Sequence, residues 1–256
     1  MKQQPDFRPL GCAECARGTD LGFDFTMAFQ PILNIHTREI FAQEALVRGL
    51  NNEPAGAVFK NVHEGNLYRF DQSCRVKAIE LAAELAIPSR LSINFMPNAV
   101  YRPELCIRTT LAAAREYQFP IERIIFEITE GEKVTDHVHL REIVAHYQQQ
   151  GFKVALDDFG AGYSGLNLLA ELHADIIKLD MALIRNIHSD RKRQIIVRGI
   201  LQVCRELGSQ VVAEGVETRD ELLQLKDMGI ELFQGYYFAK PAFRSLAAVS
   251  DDCYPG

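Results

Sequence analysis

Polar residues stand where short apolar runs end along this chain. Glu44 breaks AQEALV, Asn94 closes LSIN and Glu127 lies in FEITE; Asp157 and Asp158 close KVALDD. Lys178 and Asp180 close IIKLD, Glu214 closes VVAEG, and Gln234 lies in ELFQG. Clustered carboxylates repel one another in a low dielectric unless cations or protons offset them. Carboxylate and amide oxygens are hard ligands suited to Mg²⁺ or Mn²⁺. Zinc is disfavoured, because the seven histidines form no HExxH pair and none ends an apolar run. Adjacent Asp157 and Asp158 suit a pair of ions, one bridging and one terminal. Two ions about 3.5–4 Å apart activate a water and stabilise the leaving oxygen of a phosphodiester. Lys178 would then neutralise the attacking water or a phosphoryl oxygen. The chemistry expected is hydrolysis of an anionic ester. Each residue alone has a plainer reading: a strand-end acid as a helix cap or solvated charge, Lys178 paired with Asp180 at the surface, Gln30 a turn residue before Pro31.

Convergence of these side chains requires a fold that brings strand ends together. The apolar runs are FTMAFQPIL, EIFAQEALV, LSINF, IIFEI, KVALDD, DIIKLD, QVVAEG and ELFQGYYF. Between several of them lie segments with the helical period, such as Leu140, Ile143, Val144 and Tyr147 closed by Gly151. Thr218 and Glu221 form a capping box before Leu222, Leu225 and Met228, and Gly229 stops that helix. A further helix over Asp190–Leu207 ends at Gly208. Strand then helix, repeated, predicts a mainly parallel sheet, and 256 residues suit one α/β barrel, which needs about 250. In such a barrel the C-terminal strand ends converge on one mouth. Only NIHTR separates the first two runs, too short for a helical crossover, so that pair is expected to be antiparallel. Residues 1–22 and 248–256 read as tails around a single unit over 23–247.

A net charge of −6 argues against a nucleic-acid polymer as partner, since that binding needs basic patches. No apolar run reaches the ~18 residues of a membrane span, and the first residues lack the apolar core of a secretory signal, so a cytoplasmic location is expected. The six cysteines are too scattered for the disulfide framework of a small secreted domain. Cys12 and Cys15 have C-x-x-C spacing, but no second such pair completes a zinc site, and they are read as thiols of a terminal tail. Gly160–Gly165 spells GxGxxG after a strand, the outline of a nicotinamide-cofactor site. Asp157 and Asp158 just before it would repel a pyrophosphate.

The motifs together resemble the EAL family of c-di-GMP phosphodiesterases. The likeness runs from about Phe25 to Phe243: Glu44-Ala-Leu46 with Arg48, Ser92-Ile-Asn94, Glu127-Ile-Thr-Glu130, Asp157-Asp-Phe-Gly160, Lys178-Leu-Asp180, Glu214-Gly-Val-Glu217 and Gln234-Gly-Tyr236. The resemblance implies an α/β fold, a modified TIM-type (β/α)8 barrel with an antiparallel first strand. It implies two ions, Mg²⁺ or Mn²⁺, held by Glu44, Asn94, Glu127, Asp157, Asp158 and Glu214. Lys178 would assist the nucleophilic water and Glu214 would position or deprotonate it. Arg48 would bind a phosphate of c-di-GMP, while Gln30 and Gln234 would line the nucleotide site. Glu130 would anchor the loop after Asp158, which in this family links the metal site to a homodimer interface, and the product would be linear pGpG. Gly49 stands where the family often has tryptophan; Ala161 and Gly165 replace the commoner Thr and Ser, and the loss of side-chain contacts is expected to loosen that loop. The competing reading is a c-di-GMP receptor or protein-interaction module on the same fold. Such a module is expected to have lost ligands, and this chain retains them.

Overall fold

The computed structural model describes residues 21–100, 102–129, 137–162 and 165–254. Cys12, Cys15 and Glu130 lie outside the described residues. Strands β1 (Thr26–Asn34) and β2 (Glu39–Arg48) form an antiparallel hairpin in which Gln30 faces Glu44. Its turn is closed by the Asn34 carboxamide oxygen, which accepts from the His36 and Thr37 N–H groups, and by Arg38 at φ 61°. From β2 onward every neighbour is parallel: β3 (Arg90–Asn94), β4 (Ile124–Thr129), β5 (Lys153–Phe159), β6 (Ile176–Leu179), β7 (Gln210–Ala213) and β8 (Leu232–Phe233). Strand β1 then pairs antiparallel with β8 as well as with β2, which closes the barrel. A short β9 (Ala242–Phe243) pairs antiparallel with Ala28 and Phe29 of β1, on the edge that β8 meets at Leu33 and Asn34.

The apolar run expected to continue as strand through Phe238 stops after Phe233. Gly235 turns the chain there at φ 156°, and a Cβ on it would lie 2.1 Å from the Val216 carbonyl. The loop after β8 is thus pressed against the loop after β7, with Val216 N–H donating to the Gln234 carbonyl.

Helices cover the outside because each has one apolar face. The Leu67–Glu84 helix buries Phe70, Val76 and Ile79, and the His137–Gln149 helix buries Leu140, Ile143, Val144 and Tyr147. Asp190 caps the Arg191–Leu207 helix by accepting from the Lys192 and Arg193 N–H groups, and Gly208 ends it in the left-handed conformation. The predicted capping box is present: Thr218 accepts from the Glu221 N–H and the Glu221 carboxylate returns to the Thr218 N–H. Val249, Cys253 and Tyr254 pack against the core, so residues 249–254 fold back onto the barrel. No described helix is long and apolar enough to cross a membrane.

The described residues form two apolar clusters. The large one lies between barrel and helices. The small one gathers Ile32, Ala42, Ile125, Ala155, Ile176, Val212 and Leu232, from seven different strands, and fills the barrel interior. This inner layer fixes where the next inward side chains must lie. The cap offers a check on the helical shell: Thr218→Ala should lower unfolding free energy by about 1 kcal/mol in chemical denaturation without altering the fold. An unchanged stability would mean the box contributes nothing.

Candidate active site at the barrel mouth

Side chains on a strand alternate between faces, so the residue two positions from an inward one also points inward. Two residues on from the apolar layer stand Glu44 after Ala42, Glu127 after Ile125, Asp157 after Ala155, Lys178 after Ile176, Glu214 after Val212 and Gln234 after Leu232. Strand β1 runs the other way, and two residues before Ile32 stands Gln30. On β3 the corresponding places are taken by buried Ser92 and half-buried Asn94. A polar layer therefore sits directly on the apolar one.

Lys178 occupies its centre and is 1% exposed. Its Nζ lies 2.6 Å from Glu214, 2.9 Å from Glu127, 2.9 Å from Asp157 and 3.5 Å from Glu44. Burial alone would pull the ammonium toward losing its proton, but the surrounding carboxylates outweigh it and hold the proton more tightly than usual. Burial would likewise raise Asp157, yet the Lys178 charge and hydrogen bond keep it below the ordinary aspartate value. Glu127 and Glu214 rise well above the usual glutamate value, first from burial and then from neighbouring acids that one lysine only partly offsets. The surface Lys178–Asp180 pair that the sequence also allows does not form. Asp180 instead caps the Met181–Ile184 helix by accepting from the Ala182 N–H.

The remaining polar groups aim the carboxylates. Asn94 donates its amide to Glu44 Oε1 at 3.0 Å, and Gln234 donates to Glu44 Oε2 at 2.7 Å. Ser92 donates to Glu127. Gln30 donates to the Ala239 carbonyl. Arg48, at the end of β2, turns its guanidinium to the Val47 carbonyl, and does not join the Lys178 cluster.

Asp158 enters by a different route. Regular alternation would send it away from Asp157. The pairing of β5 with β6 shifts register between Leu156 and Phe159, and Asp158 takes φ 54°, so consecutive carboxylates face the same mouth. Asp158 is pushed up to about 6 by burial and by the charges of Asp157 and Asp180. Two groups of acids result, Glu44–Glu127–Asp157 and Asp157–Asp158–Glu214, each with oxygens within 4.8 Å of one another. Asp157 belongs to both. All donors are oxygens and negative charge exceeds the single ammonium, a set that fits hard divalent cations. Above these groups opens a cleft of about 270 Å³, lined further by Met181, Glu217 and Tyr236. Beyond Asn94 lies an apolar cavity of about 520 Å³ walled by Leu46, Phe59, Phe70 and Met96.

Ser92 and the Arg185–Glu221 pair are functional-site neighbours that spacing alone does not single out. Buried Glu221 accepts from the Asn186, Glu217 and Thr218 N–H groups, and Arg185 donates to the Gly215 carbonyl, so together they tie down the loop that follows Glu214. The signal in the sequence was the capping box, read only as a helix start.

Comparison with known proteins shows the family. The EAL domain family model matches residues 20–241, and the chain belongs to that family. It is 32% identical over 224 residues to the blue light- and temperature-regulated antirepressor BluF of Escherichia coli, covering 87% of this chain and 56% of that protein. It is 30% identical over 247 residues to a cyclic di-GMP phosphodiesterase of Pseudomonas aeruginosa, covering 93% of this chain and 42% of that protein. This chain thus spans about half the length of these curated relatives. A standalone versatile EAL protein from Vibrio cholerae O395, in its c-di-GMP-bound form, is 59% identical with TM-score 0.88, covering 91% of this chain and 99% of that one. BlrP1 of Klebsiella pneumoniae, in a manganese and cyclic di-GMP complex, is 32% identical with TM-score 0.83, covering 88% and 58%.

The charge balance makes a test that needs no substrate. In Lys178→Met the carboxylates lose their counterion, so Glu127 and Glu214 rise further above their unfolded values and Asp157 loses the charge that holds it low. An acid raised on folding contributes stability that is lost as pH rises through its folded pKa. The variant's thermal midpoint should therefore fall further below wild type near about pH 8 than near about pH 5.5. An equal deficit at both would mean Lys178 does not balance these acids.

Proposed function

We propose that this chain is a divalent-metal-dependent phosphodiesterase that hydrolyses c-di-GMP to linear pGpG, with 23–247 as its catalytic unit, acting in the cytoplasm as a homodimer. The observation that carries the reading is the pair of acidic groups sharing Asp157. Glu44, Asn94, Glu127 and Asp157 would hold one Mg²⁺ or Mn²⁺, and Asp157, Asp158 and Glu214 the other. Such ions, when bound, polarise the phosphoryl oxygens and acidify water. The manganese and cyclic di-GMP complex of a relative supports both the ion class and the substrate.

The chain's own groups then divide the work. Asn94 and Gln234 fix both oxygens of Glu44, so its orientation is set before any ligand arrives. Glu214 in its ionised form would accept a proton from the attacking water, and Lys178 at 2.6 Å holds its carboxylate in place. Once charge builds on the phosphoryl group, the Lys178 ammonium is the nearest fixed positive charge of the polar layer. Arg48 reaches a phosphate by leaving the Val47 carbonyl, and Gln30 and Gln234 border the base. The apolar cavity beyond Asn94 offers a purine a dry surface, as ligand pockets generally do. Glu130 anchors the loop after Asp158 in this reading and couples it to the dimer surface.

A second reading has one specific observation in its favour: BluF, matched over most of this chain, is named as an antirepressor. In that case the mouth would bind c-di-GMP as a signal without turning it over. The retained acids favour the enzyme, since a receptor has no need of a shared carboxylate.

Purified protein with c-di-GMP and Mg²⁺ or Mn²⁺ should release pGpG, and Glu44→Ala or Asp157→Ala should abolish release while retaining the fold. Ca²⁺ should bind without supporting turnover, because its longer, looser coordination misplaces the water. Tight binding of intact c-di-GMP with no pGpG under Mg²⁺ or Mn²⁺ would select the receptor reading, and full turnover after chelation would reject the metal mechanism.

A further inference from the structure

Outside the mouth, the described residues bury one complete ion pair that the proposed chemistry does not use. Asp71 and Arg75 lie one turn apart on the Leu67–Glu84 helix, 2% and 0% exposed, with Arg75 Nη2 2.6 Å from Asp71 Oδ2. Burial raises the Asp71 carboxyl, and the Arg75 charge opposes that rise. A buried pair is weak evidence for stability, because desolvation offsets its attraction and an apolar pair of similar volume often replaces it without loss. Its contacts point to another use.

Apart from the Gln72 amide beside Asp71, the pair's contacts reach the strand ends that carry Asn94 and Glu127 and the Tyr147 ring packed behind them. Asp71 Oδ1 accepts the Met96 N–H at 2.9 Å, and this is the first N–H past the end of the β3–β4 ladder, because Phe95 N–H still donates to the Glu127 carbonyl. The Arg75 guanidinium stands 5.4 Å from the Phe95 ring centre, 5.2 Å from Phe126 and 5.8 Å from Tyr147. Its Nη1 donates to the Tyr147 hydroxyl at 3.1 Å. Phe95 follows Asn94 in sequence, and Phe126 precedes Glu127. Alternation along a strand sends these rings outward where the oxygen donors point inward. One guanidinium therefore grips the outer faces of both strands whose inner faces carry those donors.

We propose that Asp71 and Arg75 are positioning residues that set the Asn94–Glu127 side of the site, Asp71 through the Met96 N–H and Arg75 through the Phe95 and Phe126 rings. This rests on the metal-dependent reading above. Supporting partners behind metal ligands typically contribute 10–100-fold in metal affinity or activity.

The test compares wild type with Asp71→Leu/Arg75→Met and with Asp71→Asn, reading Mn²⁺ affinity by water-proton relaxation without substrate, thermal midpoint, and turnover against Mn²⁺ concentration. The double variant should fold with a midpoint near that of wild type but bind Mn²⁺ roughly 10–100-fold more weakly. Its half-saturating Mn²⁺ in turnover should shift alike, and kcat should recover at saturating metal. Asp71→Asn keeps an oxygen for the Met96 N–H and should fall between. A folded double variant with wild-type Mn²⁺ affinity overturns the inference; if the double variant does not fold, wild-type affinity in Asp71→Asn does so. Wild type that takes up no Mn²⁺ brings down the metal reading and the inference together, whereas equal uptake by wild type and variants removes the inference alone.

Discussion

One buried ammonium set among four carboxylates is the interaction on which the mouth of this barrel depends. Lys178 touches acids from β2, β4, β5 and the end of β7, so a single charge ties together strands far apart in sequence. It does not neutralise them. Glu127 and Glu214 still hold protons well above their usual range, and Asp158 adds a further acid. The polar layer is thus built with an excess of negative charge that only protons or cations can offset. An apolar core would be easier to stabilise. The excess charge suits a site meant to gather cations and then a phosphate ester.

The barrel explains why the layer can exist at all. Inward side chains of a closed sheet have nowhere to go but the interior, and the apolar ring from Ile32 to Leu232 seals the space below. Each polar residue two positions along is then lifted to the same height. Closure needs β1 to pair on both edges with reversed direction, and that reversal is why Gln30 precedes its apolar partner while the other polar residues follow theirs. Outside, the helices do more than cover the strands: Asp71 and Arg75 reach the strand ends from behind, and Arg185 with Glu221 holds the loop after Glu214.

Much of this was legible in the sequence. The apolar runs, the short NIHTR connection and the polar residues closing each run lead to a barrel with a reversed first strand, which is the fold observed. Period-two alternation is local, and so is the chemistry of carboxylates, so the gathering of Glu44, Glu127, Asp157, Lys178 and Glu214 could be anticipated. What was hidden depends on through-space partners. Asp157-Asp158 as letters does not reveal the register shift and left-handed backbone that turn both carboxylates to one side. ELFQGYYF reads as a strand by composition, but Gly235 is pressed against the Val216 carbonyl, and the strand ends early. Gln234 was expected to meet the nucleotide, and in the structure its amide holds Glu44. Asp71 and Arg75 look like an ordinary helical i, i+4 pair on the surface, and nothing local says that both are buried.

On the proposed function the polar layer is a two-cation site organised around Asp157. The most direct measurement is the position and number of manganese ions by anomalous X-ray scattering from crystals grown with Mn²⁺. Two ions per chain are expected, one bounded by Glu44, Glu127 and Asp157 and the other by Asp157, Asp158 and Glu214, with the Asp157 carboxylate between them. Manganese absent from the mouth, or bound there without contact to Asp157, would contradict it.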